Sequence, residues 1–368
     1  MRKKKWLFIL PTDSIQGSEH IVKSLAQFID IRGGQCSIII LTKKRSMGWA
    51  EEEKTMHLTY FPFTSYFLGI LYLLPHFIFN FKQYNSIGYT FSSQTLINGS
   101  IGFAKKIGLL KKAKVILRES NSIFDLLSGT KLKIYTFFYH LGYRGSSLVI
   151  CQTNYMKQQL IQALPKLTLK LNLQVIPNPF DFEDIFKKSG DILPELRHKK
   201  FLVAAGRLAP AKGFDILIDA FYEISQNHRD MYLVILGEGR DRELLQNKIK
   251  QLNLEHKIYM PGYVQNVYSY FKEAKVCVLS SRIEGFPNVL LQMMSQNNNV
   301  VATLSAGGIN EIPNLKTCET NSVEELRIAI NDILTKGTSA NRILFDDYLS
   351  NRTLSSFNNT IFKNLNIS

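Results

Sequence analysis

Short apolar runs alternate with longer amphipathic stretches along this chain. The short runs indicate buried strands, and the stretches with apolar residues three or four positions apart indicate helices. In the first half, strands are predicted at Trp6–Pro11, Cys36–Thr42, Ser86–Phe91, Ala113–Arg118 and Ser147–Gln152. Helices are predicted at Glu19–Arg32, Tyr66–Phe81, Gln94–Gly108 and Lys131–Arg144. Alternating strands and helices favour a parallel, doubly wound sheet.

The alternation starts again after a proline-rich connector, Val175-Ile-Pro-Asn-Pro-Phe-Asp181. Two prolines around an asparagine disfavour a helix, so we place a domain boundary after residue 180. Strands follow at Lys200–Gly206, Met231–Leu236, Lys257–Met260, Lys275–Ser280 and Asn299–Thr303. Helices follow at Phe214–Gln226, Asp241–Asn253, Val267–Glu273, Pro287–Asn297, Ser322–Thr335 and Leu349–Leu365. The 368 residues therefore predict two Rossmann-like α/β domains, 1–180 and 181–340, and a C-terminal segment, 341–368.

A basic turn follows the strand that ends near Gly206. Arg207 and Lys212 flank this turn, and a helix starts directly after it near Phe214. Two cations beside a helix N-terminus can bind a diphosphate, and they can stabilise a leaving group that becomes more negative. A turn with solvated charges is the alternative interpretation.

A second motif, Ser280–Gln292, follows a strand and includes Glu284 and a helix that we expect to start at Pro287. Asn288 and Gln292 are four residues apart and therefore share a helix face. A carboxylate can bind sugar hydroxyls, and an amide can both donate to and accept from a ribose. An ordinary helix start with a surface glutamate is the alternative.

Two glycine-containing loops also follow strands. Gly307 and Gly308 precede Ile309-Asn-Glu311, and Gly17 lies in the loop Asp13–Glu19. Glycines allow a backbone to approach a ligand closely. The dinucleotide fingerprint Gly-x-Gly-x-x-Gly does not occur after the first strand.

The net charge of +15 lies entirely in the first half. Residues 1–180 contain 23 Lys and Arg but 8 Asp and Glu residues, whereas residues 181–368 contain 22 of each. This asymmetry favours a polyanionic partner, which could be a membrane surface, a lipid pyrophosphate or nucleic acid, and a solubilising basic surface is the alternative. Residues 55–81 contain no charged residue, but Pro75, His76 and Asn80 interrupt the apolar run. We therefore expect a helix in the membrane interface, or a buried one, rather than a transmembrane span.

The sequence suggests neither a metal centre nor a secreted protein. The four cysteines have no metal-ligand spacing, and we interpret them as reduced, partly buried thiols of a cytoplasmic protein. No Asp-x-Asp motif occurs, so we expect no bound metal and no cofactor. Residues 1–11 imitate a signal peptide, but the apolar run is short and Asp13 follows it.

Together, the motifs make the chain resemble glycosyltransferase family 4, of the type that assembles bacterial surface polysaccharides. The resemblance rests on Gly-Arg-Leu…Lys-Gly at 206–213, Leu-Gly-Glu-Gly at 236–239, Pro-Gly-Tyr-Val at 261–264, Glu284–Leu291 and Gly307–Glu311, in that order. It implies a GT-B fold with two facing Rossmann-like domains, and transfer with retention of anomeric configuration and without a metal. It also implies that the final helix returns to the N-terminal domain.

The resemblance implies roles for individual residues. Arg207 and Lys212 would bind the donor diphosphate, and Glu284 would hold the transferred sugar, which makes these three the candidate catalytic residues. Tyr263, Gln292 and the Asn288–Val289 backbone would complete the donor site. Gly17 would contact the diphosphate from the other domain.

Two positions depart from the family pattern. The family usually has a second glutamate where this chain has Gln292, so ribose binding is expected to weaken by on the order of 1 kcal/mol. Many relatives also have a histidine near the reacting sugar, where this chain reads Leu117-Arg-Glu-Ser-Asn121. Arg118 and Glu119 are therefore candidate contacts to the acceptor or the sugar.

The implied reaction transfers a hexose or an N-acetylhexosamine from a nucleotide-diphosphate sugar, which we expect to be a UDP-sugar. The expected acceptor is a lipid-linked oligosaccharide at the inner face of the cytoplasmic membrane, with an anionic membrane surface as a partner and no nucleic acid. A nucleotide-sugar epimerase of the GT-B fold, and an inactive relative that binds a membrane or another polyanion, remain alternatives.

Overall fold

The computed structural model describes residues 4–15, 17–183, 185, 191–337 and 341–366. The chain divides into two compact units. Unit 1 comprises Met1–Pro179 and Leu354–Ser368, and unit 2 comprises Phe180–Thr353.

Unit 1 contains a seven-stranded sheet in which all neighbouring strands pair in parallel. Its strands are β1 (Lys5–Leu10), β2 (Gln35–Ile40), β3 (His57–Tyr60), β4 (Tyr89–Ser92), β5 (Lys114–Arg118), β6 (Leu148–Cys151) and β7 (Leu173–Val175). Their order is β3-β2-β1-β4-β5-β6-β7. The order reverses between β1 and β4, as in a doubly wound Rossmann-like sheet.

Helices cover both faces of this sheet. They are α1 (Ser18–Ile31), α2 (Tyr66–Phe79), α3 (Phe81–Tyr84), α4 (Thr95–Lys106), α5 (Ile123–Leu126), α6 (Gly129–Gly142), α7 (Asn154–Ala163) and α8 (Pro165–Thr168). Apolar residues of α2, α4, α6 and α7 form one core cluster with the sheet, and those of α1 and the C-terminal helix form the other. Strands that are buried on both faces explain the unbroken apolar runs in the sequence.

Unit 2 contains a six-stranded parallel sheet. Its strands are β8 (Lys200–Ala205), β9 (Met231–Leu236), β10 (Ile258–Gly262), β11 (Val276–Leu279), β12 (Val300–Thr303) and β13 (Lys316–Cys318), in the order β10-β9-β8-β11-β12-β13. Its helices are α9 (Phe214–Asn227), α10 (Arg242–Gln251), α11 (Val267–Glu273), α12 (Asn288–Gln296), α13 (Val323–Lys336) and α14 (Asn341–Ser350). Two apolar clusters cover the two faces of this sheet. Both units are therefore Rossmann-like, as the sequence predicted.

The C-terminal segment is divided between the units. Helix α14 belongs to unit 2, where Phe345 and Leu349 are buried in its core. Helix α15 (Leu354–Asn364) belongs to unit 1, where Phe357 and Ile361 pack in the same core cluster as the apolar residues of α1. The sequence predicted a single C-terminal segment from residue 341, with one helix at Leu349–Leu365. The structure instead has two helices, which residues 351–353 separate.

The apolar segment after residue 65 forms α2 as a helix of 14 residues. It continues through Pro75 and ends where the Asn80 N–H donates to the His76 carbonyl oxygen. Within the described part of the chain, we find no helix long and apolar enough to cross a membrane.

Candidate functional site

The carboxyl ends of β8 and β11 lie side by side in unit 2. From β8 the chain proceeds to β9 on one side, and it later returns to β11 on the other. In doubly wound sheets, the crevice at such a reversal is where ligands bind. The residues that directly follow these two strands, 206–213 and 280–287, are the two strongest motifs of the sequence.

The loop after β8 places Lys212 at the start of α9. Pro210–Lys212 forms a single 3-10 turn, and Gly213 then adopts a left-handed conformation with φ of 63° before the helix begins. A Cβ atom at Gly213 would lie 2.1 Å from the Ser280 carbonyl oxygen. Glycine is therefore needed both for the backbone angle and for the close approach of the two loops.

Lys212 and Glu284 form a half-buried ion pair across these loops. The Ser281 hydroxyl donates to Glu284 Oε1 at 2.8 Å, and the Glu284 N–H donates to the Ser305 carbonyl oxygen at 2.8 Å. The Ser280 hydroxyl donates to the Lys212 carbonyl oxygen at 3.0 Å. The loops after β8, β11 and β12 thus fix one cation and one carboxylate at the edge of the sheet.

Arg282 holds the same two loops together. Its Nη1 donates to the Pro210 carbonyl oxygen at 2.7 Å, and its backbone N–H donates to the Ala211 carbonyl oxygen at 2.7 Å. Its guanidinium also forms a bidentate ion pair with Asp215, and this pair lowers the pKa of the Asp215 carboxyl. Neither Arg282 nor Asp215 was predicted from the sequence to have a role in the site. Two features of the sequence could have indicated this pair: Arg282 lies within the second motif, and Asp215 is an acid in the first turn of α9.

Arg207 and Tyr263 are exposed at the carboxyl ends of β8 and β10. Tyr263 is 79% exposed. No described residue forms an ion pair or hydrogen bond with the Arg207 guanidinium. Both side chains are therefore accessible to a ligand.

Helix α12 follows the Glu284 loop. It begins at Asn288, so Pro287 is the residue before the helix and not its first residue, one position from the prediction. Asn288 and Val289 are the first two residues of this helix, so their N–H groups lie at its positive, N-terminal end. The Gln292 amide donates to the Tyr268 hydroxyl at 3.3 Å.

Gly17 belongs to unit 1. It directly precedes α1, is exposed, and has a φ of 48°, a backbone conformation that L side chains rarely adopt. The loop that contains it follows β1, one of the two strands at which the order of the first sheet reverses.

Arg118 and Glu119 are buried in unit 1, which does not fit the direct sugar or acceptor contact that the sequence suggested. Glu119 is 2% exposed. Its carboxylate accepts hydrogen bonds from the hydroxyls of Thr95, Tyr139 and Tyr143 and from the Asn98 amide. Burial nevertheless raises the pKa of Glu119.

The Arg118 guanidinium also has partners inside unit 1. It donates to the Ser93 hydroxyl and to Asn178 Oδ1. A charged pair at the end of a strand resembles a ligand contact in sequence, but here both side chains are directed inwards. Arg118 joins the connector to the residue after β4, and Glu119 joins the end of β5 to α4 and α6.

The four cysteines are buried and unpaired, as predicted. Burial raises the pKa of the Cys36 thiol to about 12. Among residues with a described placement, no three His, Cys, Asp or Glu side chains are arranged to hold a metal ion.

Comparison with known proteins identifies the domain that contains most of this site. Residues 187–344 match the family model of the group 1 glycosyl transferases. The chain contains a group 1 glycosyltransferase domain. The loops with Arg207, Lys212 and Glu284 lie within it.

Two curated relatives match about half of the chain. An uncharacterized glycosyltransferase of Methanocaldococcus jannaschii is 29% identical over 199 residues, which are 53% of this chain and 48% of that protein. An N-acetylgalactosamine-N,N'-diacetylbacillosaminyl-diphospho-undecaprenol 4-alpha-N-acetylgalactosaminyltransferase of Campylobacter jejuni is 28% identical over 204 residues, 55% of this chain and 54% of that protein. The chain thus spans about half the length of these relatives.

A solved structure with the same fold extends the comparison to the whole chain. Anabaena HepE in complex with UDP and glucose has a TM-score of 0.79, covers 99% of both chains and is 19% identical. This likeness shows the fold, which is that of the GT-B glycosyltransferases.

Proposed function

We propose that this protein is a retaining glycosyltransferase of the family 4 type. It transfers a hexose or an N-acetylhexosamine from a nucleotide-diphosphate sugar, a UDP-sugar, to a lipid-linked oligosaccharide during synthesis of a cell-surface polysaccharide such as O-antigen, capsule or exopolysaccharide. The observation that carries this proposal is the pairing of Lys212 with Glu284 where the order of the second sheet reverses, with Arg207 in the same loop as Lys212.

The donor diphosphate lies against the start of α9. Lys212 and the first N–H groups of that helix bind its oxygens, and the accessible Arg207 adds a second cation. The arriving diphosphate competes with Glu284 for Lys212 and releases the carboxylate to accept hydrogen bonds from the sugar hydroxyls. The N–H groups of Asn288 and Val289 bind the sugar and phosphate region, and Tyr263 and Gln292 complete the contacts that unit 2 makes to the donor.

Arg207, Lys212 and Glu284 are the proposed catalytic residues. The bond between the anomeric carbon and the diphosphate oxygen breaks, and its electron pair remains on the diphosphate. Arg207 and Lys212 stabilise this increasing negative charge, which is the role that a metal ion has in other transferases. The acceptor oxygen attacks from the face that the diphosphate leaves, and its proton passes to a diphosphate oxygen, so the configuration is retained.

The acceptor side of the proposal rests on two observations. The Campylobacter jejuni relative is named for a diphospho-undecaprenol substrate. The positive charge of residues 1–180 suits a lipid pyrophosphate and an anionic membrane. We place the protein at the inner face of the cytoplasmic membrane, as a peripheral protein.

A panel of nucleotide sugars tests this function. The protein is incubated with each sugar and with lipid-linked acceptors, and products are followed by mass spectrometry and by NMR of the anomeric proton. We expect transfer from one UDP-sugar with an α-linked product. Conversion of the nucleotide sugar to its epimer, an inverted product, or no reaction with any donor would overturn the proposal.

A further inference from the structure

Helix α2 carries apolar side chains on its outer face as well as on its inner face. Its inner residues pack in the core of unit 1. Its outer residues are equally apolar, and Leu71 is 59% and Phe79 80% exposed. Surface helices normally carry polar residues on this side, so packing of unit 1 does not explain these side chains.

Helix α6 presents a second exposed apolar group. Ile134 is exposed, and Phe137 is 59% exposed. Lys133 is exposed and lies one turn before Phe137 on the same side of this helix, and Arg144 is exposed in the turn that follows the helix. The outer face of α6 therefore combines apolar and basic side chains.

Helices α2 and α6 pack on the same helix, α4, most of which is buried. Burial, and next to it the charge of Tyr66 of α2, raises the pKa of Tyr135 of α6, so these two side chains lie close together. A Cβ atom at Gly102 of α4 would lie 2.2 Å from the Gly142 carbonyl oxygen, so α6 lies directly on α4. The exposed apolar residues thus belong to one surface, the α2–α6 surface: Phe67, Leu68, Leu71, Ile78, Phe79, Ile134 and Phe137.

The segment of the chain that contains this surface is strongly positive. Residues 55–180 contain 13 Lys and Arg but only two acidic residues, Glu119 and Asp125. Glu119 is buried, so it contributes little to the surface. Lys82, Lys131, Lys133 and Arg144 are exposed next to the apolar residues along the chain.

We propose that the α2–α6 surface docks on an anionic lipid bilayer. The apolar side chains enter the interface while the basic residues contact lipid headgroups, and α2, with 14 residues, lies along the bilayer instead of crossing it. A second copy of this chain is a poorer occupant, because two surfaces of the same positive sign repel each other. This inference names the surface by which the proposed enzyme reaches its lipid-linked acceptor, and to that extent it rests on the proposed function.

Sedimentation with vesicles tests the docking without donor or acceptor, so it can fail independently of the transferase activity. We expect the protein to sediment with phosphatidylcholine vesicles that contain phosphatidylglycerol, more weakly in high salt, and little with phosphatidylcholine alone. The variant Phe67→Ser/Leu71→Ser/Phe137→Ser should bind at least tenfold more weakly. Ile343→Ser, at a position in unit 2 that is 79% exposed, is the matched control and should bind normally.

A tryptophan reporter tests insertion with a conservative change. Both native tryptophans, Trp6 and Trp49, are buried. Fluorescence of an added Phe137→Trp should therefore be quenched by brominated lipids in anionic vesicles, whereas that of Ile343→Trp should not. Equal quenching at both positions, or normal binding of the triple variant, would overturn the proposal. So would a dimer in solution that the triple variant abolishes, because a second copy would then cover this surface.

Discussion

The guanidinium of Arg282 donates hydrogen bonds of 2.8 and 2.7 Å to the two carboxylate oxygens of Asp215. The same guanidinium donates to the Pro210 carbonyl oxygen, and Nε donates to Asn321 Oδ1. Arg282 thereby joins the loop after β11 to two neighbouring segments: the turn that carries Lys212, through Pro210, and the first turn of α9, through Asp215. We interpret the pair as a device that positions Lys212.

Arg282→Lys and Asp215→Asn should each raise the KM for the donor about tenfold, which corresponds to about 1.4 kcal/mol. Each variant loses the bidentate geometry that fixes the Lys212 turn. The double variant should be little worse than either single variant, because both remove the same interaction. Steady-state kinetics with varied donor measure this effect. Two single variants with unchanged KM, or a fully additive double variant, would refute the positioning role.

Glu119→Ala should destabilise the protein by about 3 kcal/mol, because it leaves several buried donors without an acceptor. That loss corresponds to a fall in Tm of roughly 6–12 °C for a unit of this size. Glu51→Ala, at an exposed glutamate, should leave the Tm unchanged. Thermal unfolding measures both variants. A normal Tm with a selective loss of acceptor binding would restore the contact role that the sequence suggested for Glu119.

The pH dependence of stability should also change at Glu119. Since burial raises the pKa of this carboxyl, folding favours its protonated form. The contribution of Glu119 to the free energy of unfolding is therefore greatest at low pH, and it is lost as the pH rises above the ordinary carboxyl pKa of about 4. Glu119→Gln cannot ionise, so its Tm should fall less than that of the native protein between mildly acidic and neutral pH. Parallel Tm curves for the two proteins would contradict this.

Gln292→Glu should strengthen UDP binding by about 1 kcal/mol, or roughly fivefold. A carboxylate accepts hydrogen bonds from ribose hydroxyls more strongly than a neutral amide does. The Gln292 amide donates to the Tyr268 hydroxyl, and a carboxylate would instead accept a hydrogen bond from that hydroxyl. Calorimetric titration with UDP and with 2'-deoxy-UDP measures this. The improvement should be smaller for the deoxy ligand, and equal improvement for both would show that position 292 does not contact the ribose.

Much of the fold follows from the sequence because central strands are buried on both faces. Met231–Leu236 matches its prediction, and the other predicted strands agree to within a few residues. The sequence did not predict β3, β7 and β13, which have three or four residues and include edge strands of both sheets. Edge strands are short and partly exposed, so they lack a long apolar run.

The parts of the site that directly follow a strand could be predicted from the sequence. Lys212 and Glu284 lie 72 positions apart in sequence, and they pair because β8 and β11 are neighbours in the sheet. The order of the motifs indicated this neighbourhood only through the family resemblance. The roles of Arg282 and Asp215 depend on where two loops meet, and neither residue type nor spacing specifies that. The burial of Arg118 and Glu119 depends on partners as distant in sequence as Asn178.

Titration of UDP into the native protein and into Arg207→Ala and Lys212→Ala variants tests the central claim, the diphosphate site of unit 2, most directly. We predict that UDP binds the native protein in the presence of excess chelator. Each variant should bind at least tenfold more weakly and lose transfer, while its Tm remains unchanged because Arg207 is exposed and Lys212 is half-buried. The absence of UDP binding without a divalent metal, or undiminished affinity in both variants, would contradict the account.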